Sequence, residues 1–111
     1  MKSNKNTTTR KTINEMTSLI VDRFKPVKVI LFGSYARGCE GIDSDVDLLV
    51  VMPVKGSKRK IRLDIRQTLH DIHVPKDIVV STPEEFEWRK EIVGTIERPA
   101  ALEGEVLYAR T

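Results

Sequence analysis

The sequence has little of what several protein classes require. One of its 111 residues is cysteine, Cys39, which excludes an internal disulfide framework and a zinc site built from the cysteines of this chain. Aromatic residues make up only 5%, and no run approaches the ~18 consecutive apolar residues of a membrane span. The polar first residues also lack the apolar core of a secretory signal. We therefore expect a protein of the reducing cytoplasm with no membrane association.

A strong excess of charge of one sign is also lacking. The chain has 19 Lys and Arg and 16 Asp and Glu, which gives a net charge of +3 and a pI near 9.1. This balance is compatible with nucleic acid binding but does not require it. The one dense basic run, residues 55–62, is interpreted as a solvated helix start or, alternatively, as a contact for phosphate or an acidic partner.

The length and composition favour one folded domain. A chain of 111 residues, 40% apolar and 32% charged, is close to the usual size of a single hydrophobic core. Residues 1–9 are polar and without periodicity, so we expect a flexible N-terminus there and one domain over residues 10–111.

Three segments have apolar residues at the spacings of three and four that predict amphipathic helices. These segments are residues 10–24, the segment after Ser57 and the segment after Thr82. In the last segment, Thr82 as cap and Pro83 at the first helical position form a start signal. Its apolar side is expected to consist of Phe86, Ile92, Val93 and Ile96. Pro99 is expected to break or kink this helix, and Pro75 to stop the one before it.

Short runs of β-branched and apolar residues predict three strands, the first of them covered on both faces. They are residues 27–32, 46–52 and 76–80. The chain then finishes with Gly104 and the apolar residues Val106, Leu107 and Tyr108. The order of elements predicts an α/β (α+β) fold, in which a small mixed β-sheet of three to four strands is packed with helices.

The first candidate site follows the first predicted strand. Gly33 at the strand end allows backbone to approach a ligand closely, and a helix beginning at Ser34 would aim free amide groups at a phosphate. Arg37 could add a cation. Taken alone, the Gly-Ser pair is more often an ordinary turn, and Arg37 is more often a surface or ion-pairing residue.

The second candidate site is a group of carboxylates. Asp45 directly precedes the predicted apolar strand, and Asp47 is its second residue. Because successive side chains of a strand alternate between its two faces, both carboxylates are expected on the same side. Two anions so close raise each other's pKa unless a cation lies between them, and carboxylate oxygens suit Mg²⁺. Asp77 begins a later strand. If that strand is a neighbour of the first, the three carboxylates could hold two metals, the arrangement used for in-line phosphoryl or nucleotidyl displacement.

Each carboxylate also has an ordinary interpretation. Asp43 is assigned to the turn, an isolated Asp-x-Asp is more often a solvated face, and Asp77 alone would be a charge at a strand entry. The combination of a glycine turn, a fixed separation, a carboxylate pair and a later Asp favours the functional interpretation. Trp88 is either a partial core residue or an exposed anchor for another chain.

Two motifs carry a family resemblance. Gly33-Ser34, ten intervening residues and Asp45-x-Asp47 resemble the signature of the polymerase beta nucleotidyltransferase superfamily. More narrowly, Gly-Ser-Tyr-Ala-Arg-Gly at residues 33–38 and Ser-Asp-Val-Asp-Leu at residues 44–48 resemble the minimal nucleotidyltransferases, the MNT or MntA-like antitoxins. The resemblance covers roughly residues 27–80 and implies a polymerase beta-like nucleotidyltransferase fold.

The resemblance implies roles for particular residues. Nucleotide phosphate would be bound by Gly33 and Ser34, to which we add Arg37 as a candidate. Asp45, Asp47 and Asp77 would ligate Mg²⁺ and be catalytic, with Asp77 matched by strand order alone. The substrate would be ATP, and the partner a HEPN-domain toxin whose tyrosine receives AMP, in a hetero-oligomer or with the antitoxin as a homodimer.

Two other classes of function stay open. The chain could be a nucleotide-binding or toxin-binding module in which catalysis is secondary or absent. It could also transfer a nucleotide to RNA or to a small molecule. The basic helix after Ser57 keeps contact with RNA open, in which case binding should depend strongly on salt.

Overall fold

A computed structural model describes residues 10–38 and 45–110 of the chain. The predicted N-terminal segment 1–9, Cys39 and Asp43 lie outside the described residues. The elements in chain order are α1 (Arg10–Phe24), β1 (Lys28–Phe32), α2 (Ser34–Arg37), β2 (Val46–Val51), α3 (Lys58–Thr68), β3 (Lys76–Ser81), α4 (Pro83–Arg89), α5 (Glu97–Glu103) and β4 (Glu105–Ala109). No helix in the described ranges is long and apolar enough to cross a membrane.

The strands form one four-stranded mixed sheet in the order β3-β2-β1-β4. β1 is antiparallel to both of its neighbours, whereas β2 and β3 are parallel and are connected through α3. A parallel pair needs such a crossover because the chain has to return to the same end of the sheet. The predicted class, a small mixed sheet with helices, is confirmed.

Helices cover both faces of the sheet. On one face, Ile20 of α1 and Ile65 of α3 pack with Leu31 and Leu48 in the larger of two apolar clusters. On the other face, Phe86 of α4 and Ala100 of α5 belong to a smaller cluster with alternate residues of the same strands. Because both faces are covered, β1 and β2 are nearly continuous apolar runs, as their sequences indicated.

Two predicted helix starts are confirmed by their caps. The Ser57 side chain accepts a hydrogen bond from the backbone N–H of Lys60 at 3.2 Å. Thr82 and Glu85 form a reciprocal capping box in which each side chain accepts from the other residue's backbone N–H at 3.1 Å, and Pro83 opens α4. α3 ends at Thr68, several residues before the proline that was expected to stop it.

The prediction of one long helix after Thr82 is wrong. α4 ends at Arg89, and the chain turns through Gly94, whose φ of 98° is one that glycine adopts readily. Pro99 then lies in the first turn of α5 instead of breaking a helix, because a first-turn residue needs no backbone N–H for intrahelical bonding. Side chains expected in the core are partly exposed: Ile92 40%, Val93 82% and Ile96 45%.

The last apolar residues form a strand, β4, against β1. Gly104 makes the reversal from α5 into this strand possible, because an added Cβ there would lie 2.3 Å from the Ala100 carbonyl oxygen and 2.9 Å from that of Leu31. β4 is an edge strand, and its register against β1 shifts between Val29 and Ile30. The sheet of the described residues therefore has four strands, within the predicted range of three to four.

Candidate active site

The turn between β1 and α2 brings backbone against a carboxylate. Gly33 has φ 77° and ψ −151°, a region that is essentially restricted to glycine. An added Cβ would lie 2.1 Å from Asp47 Oδ2. Gly33 is therefore required both for its conformation and for the room that it leaves to Asp47. Ser34 begins α2 directly after it, as the sequence predicted.

Asp47 lies in a row of side chains that crosses three strands. Its Cα partner on β1 is Phe32, and its Cα partner on the parallel strand β3 is Asp77. Register partners project to the same face of a sheet. Asp45 directly precedes β2, and its charge acts on Asp47. The face is the one that carries Phe86 and the smaller apolar cluster. Sheet register therefore brings Asp47 and Asp77 together, with Asp45 beside them.

The electrostatics of the row centre on Asp47. Burial is the largest cause that raises the pKa of this carboxyl, followed by the charges of Asp77 and then Asp45, while the charge of Arg37 opposes them. Asp45 and Asp77 are exposed, whereas Asp47 is half-buried. An added cation would relieve the repulsion among these carboxylates.

The donor set suits a magnesium ion that is shared with a nucleotide. In the described parts of the chain, no three His, Cys, Asp or Glu side chains are arranged so that they alone could hold a metal. Mg²⁺ is commonly bound by one or two carboxylates together with substrate phosphate oxygens and water. Asp47 and Asp77, whose charges repel each other, fit that mode.

Arg37 lies at the end of α2, and its charge acts on Asp47. Its Nη1 lies 3.7 Å from Oε1 of Glu103 at the end of α5, and both side chains are about half exposed. Sequence patterns gave no signal for Glu103, because it meets Arg37 only through the packing of α5 against β1. Five of the six predicted site residues thus lie on two neighbouring segments: Gly33, Ser34 and Arg37 in the β1–α2 turn and α2, and Asp45 and Asp47 at the start of β2. The sixth, Asp77, lies on β3.

Several large apolar side chains outside the site face solvent. Trp88 is 58% exposed, which makes it an exposed residue and not part of the core. The others in the same part of the chain are Ile92, Val93, Ile96 and Leu102. Single exposed apolar residues are normal, but five within one helix pair and its connection are typical of a surface that meets another molecule.

Comparison with known proteins agrees with this geometry. Residues 13–101 match the family described as the nucleotidyltransferase domain. Among curated protein sequences, none matches the chain significantly.

Solved structures share the fold at low sequence identity. A toxin-antitoxin crystal structure with AMP-PNP has a TM-score of 0.65 and 21% identity over 88% of this chain and 73% of its own. The MntA-HepT toxin-antitoxin has a TM-score of 0.56 and 18% identity over 87% and 69%. A tri-AMPylated HEPN toxin from Shewanella oneidensis in complex with MNT antitoxin gives 0.52 and 19% over 87% and 69%.

Proposed function

The chain belongs to the nucleotidyltransferase domain family, and on that premise we propose that it transfers AMP from ATP to a protein hydroxyl. The observation that carries the proposal is the row in which Asp47 contacts Gly33 on one side and is in register with Asp77 on the other. This row combines a backbone turn suited to phosphate with carboxylates suited to Mg²⁺ in one place.

We assign the triphosphate to the β1–α2 turn. The Gly33 backbone leaves room for close approach, and Ser34 offers a hydroxyl and a free amide at the start of α2. Arg37 provides a cation one turn later that already acts on Asp47. When bound at Asp45, Asp47 and Asp77, Mg²⁺ supplies charge neutralisation for the triphosphate and the leaving pyrophosphate.

The reaction is an in-line displacement at the α-phosphorus of ATP. The acceptor oxygen forms a bond to that phosphorus while the bond from phosphorus to the oxygen that bridges to the β-phosphate breaks, and pyrophosphate leaves. Asp77 helps to remove the proton of the acceptor hydroxyl, since it is exposed on the edge strand β3. In this proposal Asp47, on an inner strand, binds the nucleotide through Mg²⁺, and Asp77, on the edge strand, contacts the acceptor.

We propose a tyrosine of a HEPN-domain toxin as the acceptor, with this chain as the antitoxin. Support comes from the structural neighbours, which include an AMPylated HEPN toxin in complex with MNT antitoxin. The exposed apolar side chains between Trp88 and Leu102 also favour contact with a protein.

The test is transfer of labelled AMP from ATP and Mg²⁺ to a HEPN-domain protein encoded beside this chain. Asp45→Asn/Asp47→Asn should abolish labelling, and EDTA should do the same with the wild type. Asp22→Asn/Asp71→Asn removes the same charge from exposed positions away from the row and should label normally. Equal labelling by the two double variants would contradict the proposal.

Asp77→Ala separates the role of this residue from nucleotide binding. Because Asp77 is placed on the acceptor side, we expect transfer to be abolished while ATP binding is partly retained. Unchanged transfer would remove Asp77 from the mechanism.

A second candidate function is neutralisation of a toxin by binding alone. The exposed apolar residues between Trp88 and Leu102 favour it, since such a surface can bind a partner without catalysing a reaction. A stable complex without labelling, together with protection of cells by the triple carboxylate variant, would support binding over transfer. Labelling of RNA or of a small molecule, with no labelling of protein, would instead identify a different acceptor class.

A further inference from the structure

The solvent side of α3 carries arginines around an apolar residue. Arg59, Arg62, Leu63 and Arg66 recur at positions i, i+3, i+4 and i+7, the spacing of one helix face. All four are exposed, Leu63 to 50%, while Ile65 on the opposite side is fully buried in the core. We refer to these four residues as the α3 outer face.

The arginines of this face are not neutralised within the described residues. The ion pairs of α3 are made by Lys58 and Lys60, whereas Arg59, Arg62 and Arg66 have no acidic partner there. Arg66 donates a hydrogen bond to the backbone carbonyl of Lys76 at 3.3 Å. Burial and, secondly, the charge of Arg66 lower the pKa of Lys76. The face therefore presents uncompensated positive charge.

A recess at one end of the face is suited to a carboxylate. It is lined by Lys58, Arg59, Arg62 and Val80 and has a volume of about 270 Å³. That volume is slightly below the usual range for small-molecule sites but accommodates an acidic side chain. Guanidinium groups bind carboxylates with two parallel hydrogen bonds, which makes arginine the preferred residue for such a contact.

The position of the face connects it with the candidate active site. β3 is an edge strand, and the recess touches it at Val80, three residues beyond Asp77. At the rise of a β-strand, this separation is about 10 Å. Arg66 is held against Lys76, the residue before Asp77. Val80 projects to the sheet face that α3 covers and Asp77 to the opposite face, so a protein bound along the α3 outer face has to pass over the edge strand β3 to meet the carboxylates.

The geometry points to an acidic protein segment as the occupant. We propose that the α3 outer face binds acidic side chains of the acceptor protein in its recess and an apolar residue on Leu63; only the identity of that protein rests on the proposed function. Arginine is enriched at protein interfaces relative to the rest of the surface. The face has no aromatic residue on which single-stranded nucleic acid could stack.

Binding of a short fluorescein-labelled peptide of Glu-Glu-Leu repeats, followed by anisotropy, tests this inference. Arg59→Gln/Arg62→Gln should weaken binding about tenfold or more, since two charge-assisted contacts are lost. Lys11→Gln/Arg23→Gln removes the same charge from exposed positions of α1 and should change binding by less than about twofold. Leu63→Ser should weaken binding several-fold without changing its salt dependence.

Three outcomes of the binding experiment would overturn the inference. These are no binding of the peptide, equal weakening in both double variants, and displacement of the peptide by an RNA oligonucleotide that binds more tightly to the same face. The measurement needs neither ATP nor metal, so Asp45→Asn/Asp47→Asn should bind the peptide at least as tightly as the wild type. Peptide binding without AMP transfer would refute the proposed function alone, and transfer that is insensitive to Arg59→Gln/Arg62→Gln would refute this inference alone.

Discussion

Replacing Gly33 by alanine tests the contact between the β1–α2 turn and Asp47. The φ of 77° and ψ of −151° at Gly33 cost any other residue about 1–3 kcal/mol. The new Cβ would also lie 2.1 Å from Asp47 Oδ2, where ordinary contact begins at 3.4 Å. Because this oxygen is the end of a rotatable side chain, the carboxylate can move away. We therefore expect the unfolding free energy to fall by about 1–3 kcal/mol, mainly through the backbone.

The effect on transfer should be much larger than the effect on stability. Relief of the overlap requires the Asp47 oxygen to shift by more than 1 Å, the difference between 2.1 and 3.4 Å. A misplacement of about 1 Å can cost about a hundredfold in rate. We expect Gly33→Ala to reduce AMP transfer about a hundredfold or more, measured at a temperature where urea titration shows the variant to be folded.

Gly38→Ala is the matched control. Gly38 also has positive φ, 72° with ψ 21°, but an added Cβ there meets nothing within 4 Å. This change should cost about 1 kcal/mol of stability and leave transfer within a few-fold of the wild type. Wild-type transfer in Gly33→Ala, or an equal loss in both variants, would refute the assignment of Gly33 as the residue that makes room for Asp47.

Three further variants test the electrostatics and the packing. The pKa of Asp47 is raised in the folded state, chiefly by burial, so stability falls as pH rises from 3.8 through the raised value. Asp47→Asn should therefore raise the unfolding temperature at pH 7, measured without metal, and leave it unchanged near pH 3. Thr82→Ala should cost about 1 kcal/mol by loss of the α4 cap, while transfer is unchanged. Glu97 is buried and accepts hydrogen bonds from Ser81 at 3.0 Å and Arg89 at 3.3 Å, so Glu97→Gln should cost about 1–3 kcal/mol in urea unfolding; a loss below ~0.5 kcal/mol would show that the bonds are replaceable.

Three strands and the helix starts were predictable because local chemistry determines them. β1, β2 and β3 lie within a residue or so of the predicted runs, since a strand that is covered on both faces leaves little room for polar side chains. The start of α4 was predictable because Thr82 and Pro83 satisfy a need of any helix terminus.

The region after α4 was not predictable from apolar spacing. Ile92, Val93 and Ile96 have the spacing of a buried helix face, yet the structure exposes them because the chain leaves the helix at Arg89. Spacing alone cannot distinguish an apolar side chain that meets the core from one that meets solvent or a partner. Gly94 was the available signal, as a glycine inside an apparent helix.

The candidate site was predictable in its residues but not in its contacts. Alternation along β2 predicted that Asp45 and Asp47 share a side, and the later Asp77 was matched by strand order. The close contact of Gly33 with Asp47 and the ion pair of Arg37 with Glu103 depend on long-range packing, which no local pattern encodes. The metal and nucleotide roles of these residues stay predictions.

The mixed topology of the sheet places Asp47 on an inner strand and Asp77 on an edge strand. The antiparallel β1–β2 pair places Gly33 against Asp47 within the sheet, while the parallel β2–β3 pair places Asp77 on an edge strand. In-line displacement needs the attacking and leaving oxygens on opposite sides of phosphorus. The row from Phe32 to Asp77 spans two strand spacings, about 10 Å, which is long enough for groups at its two ends to act on opposite sides of one phosphate. A shift of β3 by one residue would move Asp77 to the opposite face, so the register of the parallel pair determines whether a site exists at all.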